Sequence, residues 1–200
     1  MSIYALKTGF QNLLRPLVRV LYARGITANQ VTLFACMVSI FIGVLLIFIS
    51  GSPIWFCLLP LWLFIRMALN AADGMLAREF GQQSKLGGYL NEITDVVADA
   101  ALYMPFAFIT PFNGLQIGGV IWLAAMSEFC GVLGQIHGNG RRYDGPMGKS
   151  DRAFVFGSLG LWYALAKSLP QGMGWGMWLL LVLLVYTCVR RICNGLRHIA

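Results

Sequence analysis

A polar stretch that lies between two strongly apolar segments of this chain contains residues that could do chemistry. Among them are the acids Asp73, Glu92, Asp95 and Asp99 and the asparagines Asn70 and Asn91. The segments that flank residues 70–99 are almost wholly apolar, so we expect these polar groups at or inside membrane-forming helices. A charge at the centre of a membrane helix costs about 2.5 to 3.5 kcal/mol, and each acid is therefore a candidate for a functional role.

Helical spacing indicates how these side chains could act together. It predicts two stripes, which are Arg66, Asn70, Asp73 and Ala77 on the first helix and Asn91, Asp95 and Asp99 on the second. A short polar loop joins the two helices, so we expect them to be antiparallel neighbours with facing stripes. The loop end of the pair would then hold an oxygen-rich cage formed by Asn70, Asp73, Asn91 and Asp95.

The composition of this cage predicts its chemistry. Carboxylate and amide oxygens, with no His or Cys nearby, suit Mg²⁺ or a similarly hard ion rather than zinc. Gly74 removes a side chain beside Asp73, where a phosphate could approach closely. Arg78 offers a planar fork for phosphate at the end of the first helix.

The same stretch resembles the signature of the CDP-alcohol phosphatidyltransferase family, which is Asp-x2-Asp-Gly-x2-Ala-Arg, eight residues, Gly-x3-Asp-x3-Asp. In this chain the pattern reads Asn70-x2-Asp73-Gly74-x2-Ala77-Arg78, eight residues, Gly87-x3-Asn91-x3-Asp95. The spacing agrees throughout, but the first and third family aspartates are asparagines here, as in a bacterial branch of the family. Both are metal-ligand positions in the family, so we expect weaker metal binding. Asp99 and Glu92 are extra acids that could restore part of the lost charge.

The resemblance implies a reaction and a role for each matched residue. The reaction is transfer of a phosphatidyl group from a CDP-linked donor, preferably CDP-diacylglycerol, to an alcohol acceptor, with release of CMP in phospholipid biosynthesis. Asp95 would be the catalytic base, and Mg²⁺ or Mn²⁺ would be held by Asp73, Asp95, Asn70 and Asn91. The CDP group would be accommodated by Gly74, Ala77, Arg78 and Gly87. The resemblance also suggests a homodimer.

Two basic residues near the start of the fifth predicted span have two interpretations. Lys149 and Arg152 resemble by position a basic segment that in the family serves the acceptor's phosphate or the headgroup side of the pocket. They could equally be ordinary positive charges at a cytoplasmic membrane boundary. Gly148, Lys149 and Ser150 do not form a P-loop, because Tyr143 replaces the earlier glycine of that motif and no strand precedes it.

Composition places the chain among integral membrane proteins. It has 200 residues, of which 58% are hydrophobic and 12% charged, with a mean hydropathy of +0.70; soluble domains carry about 25% charged residues. The net charge of +7 is scattered over several loops, which favours lipid headgroups over nucleic acid as its partner. The five cysteines predict neither a zinc site nor a disulfide framework. His137 and His198 are isolated, which favours plain loop and tail roles.

The predicted fold is all-α and comprises one membrane domain over residues 1–200. Residues 2–23 form a basic amphipathic helix that lies either in the membrane interface or on the protein's own cytoplasmic face. Six transmembrane helices follow, at about 31–50, 54–77, 87–110, 115–134, 153–169 and 173–189. Basic residues concentrate on one side, which predicts both termini and the signature loop on the cytoplasmic face of a bacterial inner membrane.

Other buried charges leave alternatives open. Arg66 could pair with Asp99 or with Glu128, and if Asp99 neutralises Arg66 it is structural and cannot replace a lost metal ligand. A catalytically impaired relative that binds a CDP-linked lipid would follow if the two asparagines abolish metal binding. A small ion transporter would also place acids in spans, but it gives no reason for the signature spacing. The sequence does not identify the acceptor alcohol.

Overall fold

The structure is a computed structural model that describes residues 3–136 and 140–197, with side chains from residue 9 onward. His137 and His198 lie outside these residues. The α-helices of the described part are α1 (Ile3–Ala23), α2 (Ala28–Phe48), α3 (Leu58–Glu79), α4 (Lys85–Tyr103), α5 (Gly114–Ile136), α6 (Lys149–Ala166) and α7 (Met173–Leu196). Short 3₁₀ helices precede α3 and follow α4, at Pro53–Cys57 and Met104–Phe108.

Local capping sets several helix ends. Thr27 accepts a hydrogen bond from the Gln30 amide, and the Gln30 side chain accepts one from the Thr27 amide, so α2 begins with a capping box. Ser84 caps α4 by accepting from the Gly87 amide at 2.9 Å. The predicted third span continued to residue 110, but α4 ends at Tyr103, since Pro105 cannot donate to the helix ladder.

The all-helical, membrane-type fold is confirmed. Four segments of the described chain are long and apolar enough to cross a membrane, and these are Ala28–Phe48, Pro53–Glu79, Gly114–Ile136 and Met173–Leu196. Helices α4 and α6 are shorter, at 19 and 18 residues, and carry two of the buried charges described below, Asp99 and Arg152. The count of six transmembrane helices therefore stays a prediction.

Helix α2 is the central element of the fold. It packs along both α3 and α4, while α5 pairs with α7 and α6 packs on α3. The approach of α2 to α4 is closest at Gly43, where a Cβ atom would overlap the Ala101 backbone carbonyl. On the other side of the bundle, Tyr103 stacks on Phe156 with 3.9 Å between ring centroids, joining α4 to α6 in the apolar core.

Helices α3 and α4 differ from the expected arrangement. The short loop predicts antiparallel neighbours with facing stripes, and side chains of the two helices do meet, but within the described residues the two helices lack the extensive packing that each makes with α2. Each lies against α2 instead, and a cavity separates them at the loop end. Their direct link is made by side chains, because Arg66 of α3 reaches across to Asp99 and Asp95 of α4.

Helix α1 packs on the end of α3 through an apolar face. Leu14 and Val18 are buried in a cluster that includes α3 residues, and Phe10 and Leu21 pack against it, whereas Leu13 and Leu17 are exposed. Arg15 bonds Glu79 at the end of α3, with 3.1 Å between Nη2 and Oε1. This packing agrees with the interpretation that α1 lies on the protein's own surface. A position of α1 in the membrane interface stays a prediction.

Candidate active site

The space between α3 and α4 forms a cavity of about 690 Å³, which we term the loop-end cavity. Its walls come from the start of α2, the second half of α3, the 80–84 loop and the first turns of α4. Seven of the predicted site residues line it, and these are Asn70, Asp73, Gly74, Ala77, Arg78, Gly87 and Asn91. Of the second stripe, Asn91 lines the cavity, whereas Asp95 and Asp99 lie outside its lining.

Asp73 is held in place by a residue that sequence analysis missed. The Thr32 hydroxyl of α2 donates a hydrogen bond to Asp73 Oδ2 at 2.7 Å, and both side chains are buried. Thr32 Oγ also lies 3.0 Å from the Ala28 carbonyl oxygen. Because α2 is almost uniformly apolar, a hydroxyl one turn inside it was the only available signal.

Two amide side chains complete the rim of the cavity. Gln82 of the loop accepts a hydrogen bond from the Ala28 amide at 2.7 Å and so ties the loop to the start of α2. Asn29 reaches towards α4, where a Cβ atom added at Gly87 would lie only 2.8 Å from Asn29 Oδ1. Gly87 is therefore required by close approach as well as by the cavity it lines.

Asp95 lies just beyond the cavity wall and contacts it through Asn70. Asp95 Oδ1 accepts hydrogen bonds from Asn70 Nδ2 and Arg66 Nη2, each at 3.3 Å, and lies 2.5 Å from Lys149 Nζ. Its side chain is 16% exposed. Asn70 thus lines the same cavity as Asp73 and also contacts Asp95.

Beyond Asp95, the interior of the bundle is filled by paired charges. We use the term charge cluster for the nine residues Arg66, Glu92, Asp95, Asp99, Glu128, Arg141, Lys149, Arg152 and Arg191. They come from α3, α4, α5, α6, α7 and the loop before α6. A charge removed from water needs such partners, since an isolated ion in an apolar medium is very costly.

Asp99 and Glu128 are the shared acceptors of this cluster. Asp99 binds Arg66 at 2.5 Å through Oδ1 and Arg152 at 3.0 Å through Oδ2. Glu128 binds Arg152, Arg141 and Arg191 at 3.0, 3.2 and 3.4 Å. Of the two partners expected for Arg66, the structure therefore places Asp99 against it.

These pairs change the roles expected for the extra acids. Both oxygens of Asp99 are engaged by arginines, and Glu92 is paired with Arg141, so neither carboxylate faces the predicted metal ligands unpaired. Arg152 is only 1% exposed and lies away from the cavity lining. Sequence analysis missed Arg141 and Arg191 because their partner Glu128 is distant along the chain.

The loop before α6 carries an ion pair of its own beside the cluster. Asp144 accepts hydrogen bonds from Arg142 Nε at 2.9 Å and Asn194 Nδ2 at 3.0 Å. Burial acts to raise the pKa of the Asp144 carboxyl, but these bonds favour its charged form more strongly and leave the pKa below its usual value. Its contribution to stability is therefore present at neutral pH and is lost as pH falls through the lowered pKa.

The donor atoms around the loop-end cavity suit a hard divalent cation. No three acidic, histidine or cysteine side chains converge on one point within the described residues. The donors are two carboxylates, Asp73 and Asp95, and two amides, Asn70 and Asn91, all of them oxygen ligands. This set fits Mg²⁺ or Mn²⁺ with two fewer anionic ligands than four aspartates would supply.

An apolar groove runs from the outer surface of the bundle towards Asn70. It lies between α3 and α6, has a volume of about 410 Å³, and is lined mainly by apolar side chains such as Leu63, Phe64 and Phe154. A second cavity of about 270 Å³ shares Leu63 with it and extends to Asn70 and Lys149. A molecule with an apolar tail could thus lie in the groove with its polar end at the site.

Comparison with protein families gives one match that covers most of the chain. The model of the family described as CDP-alcohol phosphatidyltransferase matches residues 25–189. The chain is 46% identical over 194 residues to the inner membrane protein YnbA of Escherichia coli strain K12, covering 96% of this chain and 94% of that protein. It is 25% identical over 192 residues to a phosphatidylinositol phosphate synthase of Mycobacterium bovis strain BCG, covering 93% and 87%.

Solved structures with the same fold include a phosphatidylinositol phosphate synthase of Mycobacterium tuberculosis. Its crystal structure with manganese and citrate has a TM-score of 0.72 to this chain at 20% identity, covering 92% of each chain. A crystal structure of the same enzyme with CDP-DAG bound gives a TM-score of 0.72 at 21% identity, covering 92% of this chain and 97% of that one.

Proposed function

The chain belongs to the CDP-alcohol phosphatidyltransferase family, and we propose that it transfers a phosphatidyl group from CDP-diacylglycerol to an alcohol with release of CMP. One observation carries the proposal. The loop-end cavity and the second cavity, which continues the apolar groove from Leu63, both reach Asn70, and the Asn70 amide contacts Asp95. A lipid joined to a nucleotide by a diphosphate needs this combination of a polar cavity and an apolar groove.

The donor fits the two spaces by size and chemistry. Ligand cavities commonly measure about 300 to 1,000 Å³, and the loop-end cavity is about 690 Å³. The cytidine and diphosphate would occupy it, beside Gly74 and Ala77 and within reach of the Arg78 guanidinium. The acyl chains would lie in the groove between α3 and α6. The solved mycobacterial relative with CDP-DAG bound supports this donor.

A divalent cation fits the same place. Asp73, Asp95, Asn70 and Asn91 would hold Mg²⁺ or Mn²⁺, and the manganese complex of the mycobacterial relative supports this choice. When bound, such an ion neutralises charge on the diphosphate and on the departing CMP.

Asp95 would act on the acceptor. Its carboxylate takes the proton of the attacking hydroxyl, the hydroxyl oxygen bonds to the phosphorus that carries the diacylglycerol, and the bond from that phosphorus to CMP breaks. Lys149 and Asn70 hold Asp95 at the cavity wall by contacts at 2.5 and 3.3 Å. Thr32 holds Asp73 on the facing side. Most of the rate increase would come from positioning and electrostatics, as in phosphoryl transfer generally.

The placement in the membrane follows the charge distribution. We infer an inner-membrane protein with six transmembrane helices, in which α4 and α6 span with their charges paired inside the bundle. Helix α1 lies in the interface, and the loop-end cavity and both termini face the cytoplasm. CDP-linked lipid in the inner leaflet could then enter the groove from the side. A homodimer, suggested by family resemblance, stays a prediction.

The direct test is CMP release by the purified protein. It should be incubated with labelled CDP-diacylglycerol, Mg²⁺ or Mn²⁺ and a panel of alcohols, and we expect CMP to be released with at least one alcohol. Asp95→Asn should abolish release, whereas the control Glu79→Gln, which removes a carboxylate on the outer surface of α3, should retain it. Absence of CMP release with every acceptor and both metals would contradict the proposal.

A second function is favoured by the two asparagines. If Asn70 and Asn91 lower the affinity for the divalent cation so far that none is bound, the protein would bind the CDP-linked lipid without converting it. The double variant Asn70→Asp with Asn91→Asp would then gain CMP release from a wild type that has none. A wild type that is already active would exclude this alternative.

A further inference from the structure

The acceptor in the proposed function must bring its hydroxyl to Asp95, so the charges around Asp95 decide which alcohols can bind. Each of the five cations in the charge cluster lies within 3.4 Å of a carboxylate. The pairs are Arg66 with Asp95 and Asp99, Arg141 with Glu92 and Glu128, Lys149 with Asp95, Arg152 with Asp99 and Glu128, and Arg191 with Glu128.

The balance of charge in the cluster opposes the binding of an acceptor phosphate in addition to the donor's diphosphate. Five cations face four carboxylates, which leaves one formal positive charge shared by the whole cluster. A divalent cation held at Asp95 would be balanced by the two negative charges of the donor's diphosphate and would not change this count. A phosphate monoester carries about −1.5 to −2 at neutral pH. To bind here it would displace a carboxylate from an arginine, and that carboxylate would remain buried beside the new anion without a partner.

The space in the cluster opposes a phosphate as well. The cavity between Asp95, Asp99, Glu128 and Arg152 has a volume of about 10 Å³, which is the room taken by about one water molecule. Arg152 and Arg191 are each 1% exposed, so no incoming group reaches them without a rearrangement of the bundle interior.

The groups that an acceptor can reach suit hydroxyls. Lys149 and Glu92 are the most exposed members of the cluster, each with 31% of its side chain accessible. An ammonium donates hydrogen bonds and a carboxylate accepts them, so together they can bind several hydroxyl groups of one molecule. Lys149 lines the second cavity and is in direct contact with Asp95, and Glu92 lies one turn before Asp95 on α4.

We propose that the acceptor alcohol is an uncharged polyol and that a phosphorylated polyol is excluded by the neutralised charge cluster. This inference rests on the proposed function, because it assumes that Asp95 meets the acceptor. It assigns Glu92, Lys149 and Glu128 as specificity-determining residues. Lys149 and Glu92 contact the polyol, and Glu128 acts by occupying arginines that would otherwise bind phosphate.

The first test compares matched acceptors. CMP release from CDP-diacylglycerol should be measured with glycerol against glycerol 3-phosphate and with inositol against inositol phosphate. We expect the unphosphorylated member of the active pair to give a kcat/KM at least about tenfold higher, which corresponds to about 1.4 kcal/mol. Preference for the phosphorylated member would overturn the inference and leave the proposed function intact.

The second test does not depend on turnover. Glycerol 3-phosphate and inorganic phosphate should be titrated by calorimetry into the wild type, Glu128→Ala and the control Glu79→Gln. We expect saturable binding in Glu128→Ala only, because that change both releases arginines from their partner and opens space beside them. Glu92→Ala, at the more exposed edge of the cluster, serves if Glu128→Ala does not fold, and it should act in the same direction through Arg141.

The outcomes separate the two proposals. Saturable phosphate binding to the wild type at millimolar concentrations or below would overturn the inference about the acceptor. If neither glutamate variant binds phosphate, the inference about the acceptor is also overturned. Failure of every alcohol to release CMP would contradict the proposed function, and the calorimetric comparison would still decide whether the cluster excludes phosphate.

Discussion

The loop-end cavity and the charge cluster meet on helix α4, but they use charge in opposite ways. In the cavity, polar groups line open space of about 690 Å³, and glycines keep its walls free of side chains. In the cluster, nine charged side chains are packed against one another around about 10 Å³. Asp95 lies at the boundary, and Asp99 lies one turn deeper.

The contrast between Asp95 and Asp99 explains why position in a membrane helix alone does not define a catalytic acid. Asp99 has both oxygens bound by arginines and is 4% exposed. Asp95 accepts from Asn70 at the edge of the cavity and keeps contact with accessible Lys149. An acid in a span is functional when it adjoins space for a ligand, and structural when cations from neighbouring helices enclose it.

The strongest test of this contrast is removal of the Asp95 carboxylate. Asp95→Asn should lower the rate of CMP release by about 10²- to 10⁴-fold, the usual contribution of a general base. Its thermal unfolding in detergent should stay close to that of the wild type, since Arg66 retains Asp99 as a partner. Glu79→Gln is the matched control. Activity within a few-fold of the wild type would remove Asp95 from the catalytic role.

Asp99→Asn should show the reverse pattern. It leaves Arg66 and Arg152 buried without their shared carboxylate, and removal of one partner from a buried pair costs about 3 to 5 kcal/mol. We expect a large fall in unfolding free energy, measured by denaturant titration in mixed micelles. Mn²⁺ affinity per folded molecule should not change. A loss of metal affinity with intact stability would show instead that Asp99 is a metal ligand.

Thr32→Val tests whether the cavity side depends on a hydrogen bond from α2. The change keeps the shape of the side chain but removes the donor to Asp73. A hydrogen bond to a charged group contributes about 1.5 to 3 kcal/mol, so we expect about a 10- to 100-fold weaker Mn²⁺ affinity, measured by electron paramagnetic resonance.

Two further variants make this result specific. Thr32→Ser should restore the affinity, because it keeps the hydroxyl. Ser39→Ala, which removes a hydroxyl of α2 that accepts from Trp62 away from the cavity, should not alter Mn²⁺ binding. Equal affinities for Thr32→Val and the wild type would rule out a positioning role for Thr32.

The smallest expected effect comes from adding charge to the cavity. Asn91→Asp should raise Mn²⁺ affinity by about tenfold, because a unit charge near a divalent ion contributes about 1 kcal/mol or more even in a water-like medium. Asn70→Asp should gain less, since the Asn70 amide now donates to Asp95 and an acid there would repel it. Isothermal titration of Mn²⁺ into both single variants would measure the two gains in affinity. An equal or larger gain for Asn70→Asp would contradict this prediction.

The residues of the cavity were predictable because their spacing on two helices is itself the signature. Asn70, Asp73, Gly74 and Gly87 needed only helical geometry and the family resemblance to be placed together. The separation of α3 and α4 was not predictable, since a short loop normally joins helices in direct contact and the intervening role of α2 depends on tertiary packing.

The charge cluster was only partly predictable for a related reason. Their similar depth in the membrane predicted Asp99 as one possible ion-pair partner of Arg66, and the structure confirms this pair. The arginine partners of Glu128 come from the loop before α6, from α6 and from α7, so no local spacing relates them to it. Thr32 was missed because a single hydroxyl in an apolar helix matches no pattern.

The close approach of Gly43 to Ala101 has a consequence for motion during the catalytic cycle. With no side chain between them, the backbones of α2 and α4 touch, so close-packed atoms oppose a shift of one helix along the other. Helix α3 packs along α2 and reaches α4 through the side chains of Arg66 and Asn70. Widening of the cavity mouth for entry of a lipid would therefore separate α3 from α4, where side chains rather than backbone packing join the two helices.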